Sequence, residues 1–141
     1  MTQVEDALNN YQSLSDYDRD GLLDLIYRKI ERGDYEELEV NNLILKLDDL
    51  VINGENPDIE YNYFIILGLA ATLTTAQAVA IAITMRRLDK LHPDSLYEAL
   101  EIISESDKAD KLIILSKFIN HKEESISNLA SKLLNQNKHD R

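Results

Sequence analysis

Apolar residues recur at intervals of three and four along most of the chain, and no stretch alternates apolar with polar residues for long enough to make a strand. Leu22, Leu23, Ile26, Tyr27 and Ile30 mark one face of a helix. Gly33 should end it, because glycine takes the left-handed conformation of a helix terminus at little cost. Val40, Leu43, Ile44, Leu47, Leu50 and Val51 mark the next helix, with Gly54 expected in the same role. Asn56-Pro57 reads as a cap followed by proline at the first helical position, where no N–H is needed, and His92-Pro93 repeats the arrangement. Thr74 and Gln77 have the spacing of a capping box. Together these signals predict helices over about 3–12, 17–32, 35–52, 57–72, 75–90, 94–105, 108–120 and 124–136, followed by a polar tail, about 135–141, that frays. No Pro/Gly/Ser-rich linker divides them. The expectation is one all-α domain, residues 1–141, of about eight helices arranged as stacked antiparallel hairpins.

No charged residue falls between Tyr61 and Met85, which raises the question of a membrane span flanked by Arg86-Arg87. Thr72, Thr74, Thr75 and Gln77 stand in the middle of that stretch, where a turn between two buried helices belongs. Ala70, Ala71, Ala76, Ala78, Ala80 and Ala82 are small enough for close helix packing. A buried central hairpin is the favoured reading, with no membrane partner.

A faint repeat runs through about residues 43–136. Phe118-Ile119, a polar turn, then Ile126, Ala130 and Leu134 follow one layout; Val51-Ile52, the turn 53–58, then Ile59, Tyr63, Leu67 and Gly68 follow it again. A weaker copy surrounds Leu96, with Leu91, His92-Pro93-Asp94 and Leu100. This layout resembles HEAT-type helical-hairpin repeats over about residues 43–136, with Glu60, Tyr97 or Ser127 where that family usually carries arginine. The resemblance implies a helical scaffold whose surface binds another protein. An irregular helical bundle with generic capping residues would give the same pattern.

At 141 residues and 44% hydrophobic content the chain can bury one core. With 26 acidic against 15 basic side chains it carries a net charge of −11, which argues against direct binding of nucleic acid. The absence of cysteine excludes disulfides, thiolate metal sites and cysteine nucleophiles, and fits a cytoplasmic setting. The first residues lack the basic-then-apolar order of a signal peptide.

Candidate chemistry is sparse. Asp16-Tyr17-Asp18-Arg19-Asp20-Gly21-Leu22-Leu23-Asp24 resembles the opening of an EF-hand calcium loop, but Tyr27 stands where the closing glutamate should be. The same aspartates at a helix start would satisfy free N–H groups and oppose the helix dipole. A calcium-responsive protein built on Asp16–Asp24 is therefore the alternative reading. Phosphate loops, zinc-protease motifs and serine-nucleophile motifs are absent, and His92, His121 and His139 fall in predicted turns and the tail. Adjacent carboxylates such as Glu36-Glu37, Asp48-Asp49 and Glu123-Glu124 diverge on a helix and make no catalytic dyad. No enzyme activity, cofactor or metal site is expected.

The charge is uneven. Residues 1–60 hold 16 acidic and 5 basic side chains, and residues 61–141 hold 10 of each, so the whole excess lies in the first block. Four of the seven tyrosines lie there too. Tyrosine mixed with carboxylates suits a protein-binding face, because the ring buries area while its hydroxyl stays wet. A concentrated negative field also speeds encounter with a basic partner. The expected partner-binding residues are Asp16, Asp18, Asp20, Asp24, Tyr35, Glu36, Glu37, Glu39, Asp48 and Asp49. By composition the chain is similar to small acidic immunity or inhibitor proteins, which implies a non-enzymatic module that neutralises a basic nuclease toxin.

Overall fold

A computed structural model describes residues 3–107 and 109–139. The elements are α1 (Gln3–Asn9), a 3-10 turn (Tyr11–Ser13), α2 (Asp16–Glu31), α3 (Glu37–Leu50), α4 (Pro57–Ala70), α5 (Gln77–Arg86), α6 (Pro93–Ser104), α7 (Lys111–Ser116) and α8 (Glu124–His139), with no strand among the described residues. The chain is all-α, as its periodicity predicts.

Helices α2, α4, α6 and α8 lie side by side in succession. On them rests a second row: α3 contacts α4 and α5, α5 contacts α4 and α6, and α7 contacts α6 and α8. From α3 onward each helix thus packs against the next, whereas α3 packs on α4 and α5 and not along α2. The apolar interior has two parts. The larger gathers α1 to α5 with Ala99 and Ile102 of α6; the smaller joins Leu96 and Leu100 of α6 to Leu115, Ile126, Leu129 and Leu133. Leu88 and Leu91, in the connection before α6, pack against both. Fully buried side chains such as Phe64, Leu67 and Leu100 each contribute about 1.5–3 kcal/mol of transfer free energy.

The stretch from Tyr61 to Met85 forms the α4–α5 hairpin, with Tyr63, Phe64, Ile66, Ala80 and Ile83 fully or almost fully buried. Among the described residues, no helix is long and apolar enough to cross a membrane.

Caps explain most boundaries. Ser15 Oγ accepts the Asp18 N–H (3.1 Å) and opens α2; Asn56 Oδ1 accepts the N–H groups of Asp58 and Ile59 (3.0 and 3.2 Å) ahead of Pro57. Gly33 has φ +80°, its N–H donates to Ile30 O (3.0 Å) and Asp34 N–H donates to Lys29 O (2.9 Å), which closes α2 as expected. Gly54 differs from expectation. Helix α3 already ends at Leu50 with Val51 extended, and Gly54 sits in the following turn at φ +80°, where a Cβ would lie 3.1 Å from Lys90 O. The Thr74–Gln77 capping box does not form: α5 starts after Ala76 without a side-chain cap, and Gln77 Nε2 donates back to Ala71 O (3.0 Å). Helix α8 runs to His139, and Asn137 Nδ2 donates to Ser104 Oγ (2.7 Å) on α6.

Candidate functional site

Three of the nominated aspartates line one cleft. Asp18, Asp20 and Asp24 stand around an opening of about 510 Å3 where the first turns of α2 meet α1 and α4. Leu14, Leu22 and Leu25 form apolar parts of its lining, and Tyr17 beside them is 87% exposed. Gly21 lines the cleft with no side chain to fill it. From α4, Asn62 donates to Asp20 Oδ1. The cleft continues through Asp24 and Asn62 into a smaller hollow of about 310 Å3 lined by Tyr27, Tyr61 and Ile65. Asp24 is paired with Arg28 one turn on, whereas the Asp18 carboxylate has no partner among the described residues.

The acidic surface does not stop at α2. Burial pushes the Tyr61 phenol up, and the nearby carboxylates of Glu98, Asp94 and Glu101 push it further, so α6 brings its acidic side to the same region. Burial likewise holds the Glu98 carboxyl above its usual value, with Glu101 adding to the shift. Tyr97, 37% exposed, lies on the same helix. These α6 acids lie in the half of the chain whose net charge is zero. The signal that could have found them is local: α6 contains Asp94, Glu98 and Glu101 and no basic residue.

The other nominated residues do not join this surface. Asp16 accepts from Asn56 Nδ2 (3.1 Å) and lies 3.9 Å from Arg19. Glu36 donates its N–H to Glu39 Oε1 (3.0 Å), a bond that caps α3, and Glu37 Oε1 accepts the Thr75 N–H (3.1 Å). Tyr35 and Glu39 line a separate groove of about 500 Å3 between α1 and α3. Burial raises the Tyr35 phenol, and the charges of Glu39, Asp34 and Glu5 raise it further. Asp49 is exposed.

Asp48 is committed internally. Arg86 and Arg87 both pair with it, and Arg87 also donates to the carbonyls of Asp48 and Val51 (2.7 and 2.5 Å) at the end of α3. Burial alone would push the Asp48 carboxyl up, but the two guanidinium groups outweigh burial and hold it below the usual carboxylate value.

Asp16 to Asp24 is helical from its first residue and Gly21 makes no left-handed turn, so the segment does not take the loop form of an EF-hand. Among the described residues, no group of three or more His, Cys, Asp or Glu side chains could hold a metal ion. His92 does not stand free in its turn: its N–H donates to Glu60 Oε1 (2.8 Å), and its Nδ1 lies 3.2 Å from the same oxygen. Glu60 is fully buried and also accepts the Gly54 N–H (2.5 Å).

Fold and surface together define an all-helical stack with an acidic, tyrosine-lined face across α2, α4 and α6. Compared with protein-family models, curated proteins and solved structures, the chain has no match.

Proposed function

We propose that the chain is a non-enzymatic protein-binding module that takes a cationic partner across this face, as an immunity or inhibitor protein would cover a basic nuclease toxin in the cytoplasm. The observation that carries the reading is that Asp24 and Asn62 join the cleft of Asp18 and Asp20 to the hollow of Tyr27 and Tyr61, with the carboxylates of α6 near Tyr61. Lysine and arginine side chains that would otherwise hold phosphates find carboxylates for their charge and tyrosine rings for their stems. The chain already uses tyrosine this way inside itself: the Arg19 and Arg87 guanidinium groups lie 4.6 and 4.9 Å from the ring centres of Tyr11 and Tyr63.

The test is inhibition of a panel of basic nucleases by the purified chain. A true partner should be inhibited stoichiometrically, with association slowing steeply as salt rises. Charge reversal at Asp18, Asp20, Glu98 and Glu101 should abolish inhibition, and reversal at Glu36 and Glu37 should matter less. Inhibition indifferent both to ionic strength and to the α2 and α6 reversals would refute the reading.

A further inference from the structure

Leu38 and Leu45 stand seven residues apart on α3 and are 61% and 44% exposed; Ile52, just beyond the Val51 cap, is 59% exposed. The core does not use them, since α3 turns Val40, Ile44 and Leu47 inward. Seven residues make two helical turns, so both leucines project in one direction, with Asn42 and Asp49 beside them. Helix α3 is tied to the turn before α5 by Glu37, which accepts the Thr75 N–H, and to the end of α5 by Asp48 and Arg86. On α5, Ala78 and Ala82 are exposed, and they are small. A heptad-spaced apolar seam with small exposed residues on the neighbouring helix suits the packing of one more helix.

We propose that this face of α3 docks an amphipathic helix of another protein, one whose apolar seam is flanked by lysine or arginine. The proposal stands apart from the α2 cleft and does not depend on it. Charge selects the occupant. Glu36, Glu37 and Glu39 are exposed at one end of the seam and Asp49 at the other, Lys46 is the one cation on α3, and Arg86 is already held by Asp48. A parallel second copy would set those glutamates against themselves and Asp49 against Asp49. An antiparallel copy would set the glutamates against Asp49 and the negative end of the helix dipole, with only Lys46 to answer them. Two chains of net charge −11 repel in either case. A basic helix meets attraction at both ends of the seam.

Three synthetic peptides probe the site on the full chain: a heptad-leucine helix flanked by lysine, its glutamate-flanked counterpart, and the lysine peptide broken by a central proline. The lysine helix should bind and the other two should not. Leu38→Ser with Leu45→Ser changes no charge and should weaken binding about tenfold or more, as loss of central apolar anchors does. Tyr17→Ser, on the α2 cleft, should leave binding unchanged, and circular dichroism checks that each variant is folded. Any one of three results overturns the proposal: no binding of the lysine helix, equal binding of the proline-broken peptide, or unchanged binding to the serine variant. A dimer in sedimentation velocity that Leu45→Ser dissolves would also overturn it, by assigning the face to a second copy.

Discussion

The Arg87 guanidinium donates from Nε to Asp48 Oδ1 at 2.6 Å, and the two side chains are only 10% and 9% exposed. The same guanidinium donates to the Asp48 and Val51 carbonyls and, through Nη1, to Asn53 Oδ1 (2.7 Å). Four acceptors thus converge on one cation, which finishes α3 where no glycine cap does so.

Arg87→Met should therefore be costly. It strands a mostly buried carboxylate and two helix-end carbonyls, for a loss of about 3 kcal/mol, the low end of the range for a broken buried pair because Arg86 still faces Asp48. Arg86→Met, whose side chain is 64% exposed, should cost under about 1 kcal/mol. Urea midpoints at an unchanged slope measure both.

Asp48 also sets an acid limb. Its carboxyl titrates lower in the folded chain than the value of about 4 expected when unfolded, so the unfolded state takes up the proton first as pH falls. The stabilisation is complete above that unfolded value and is lost as pH drops through the lower folded one. Asp48→Asn should flatten this part of the curve of stability against pH, and urea titrations from pH 2 to about pH 7 would show it.

Glu98 has the opposite sign. Its folded value is raised, so the ionised side chain destabilises the fold at neutral pH and the penalty disappears as pH falls below the unfolded value. Glu98→Gln should raise the melting temperature at pH 7 with a gain that vanishes in acid. If the proposed face is right, the same variant should bind a cationic partner more weakly.

Glu60 ties two loops together. Glu60→Gln puts an amide NH2 where the carboxylate accepts N–H groups from Gly54 and His92, leaving one donor facing another at a cost of about 1–3 kcal/mol. Hydrogen exchange at the Gly54 and His92 amides should quicken selectively.

The glycines should separate by role. Gly54→Ala meets both a positive φ and the Lys90 carbonyl 3.1 Å away, and should cost more than Gly33→Ala, which meets only the positive φ and about 1 kcal/mol. Gly21→Ala, inside α2 with no atom within 4 Å of the new Cβ, should stabilise by about 0.5–1 kcal/mol. Thermal melts of the three variants rank them.

Helix content and most helix starts and stops are local properties, and the sequence shows them. The Leu22–Ile30 stripe, the Asn56-Pro57 cap and the Gly33 terminus depend on spacings of three or four residues and on the conformational habits of single residue types. The buried α4–α5 hairpin was legible for the same reason. Gly54 was misplaced because its left-handed turn answers to Lys90 and Glu60, each distant in sequence or in the next helix.

The acidic surface divides along the same line. Counting charges along the chain located the aspartates of α2 but could not tell that Asp48 turns inward to Arg87, that Glu36 and Glu39 cap their own helix, or that α6 sets Asp94, Glu98 and Glu101 near Tyr61. A block with equal numbers of acids and bases can still present an acidic side. Sequence fixes how residues are distributed around each helix; only the packing of α2 on α4 and of α4 on α6 decides which of those sides meet, because that choice is made by apolar contacts between residues far apart in the chain.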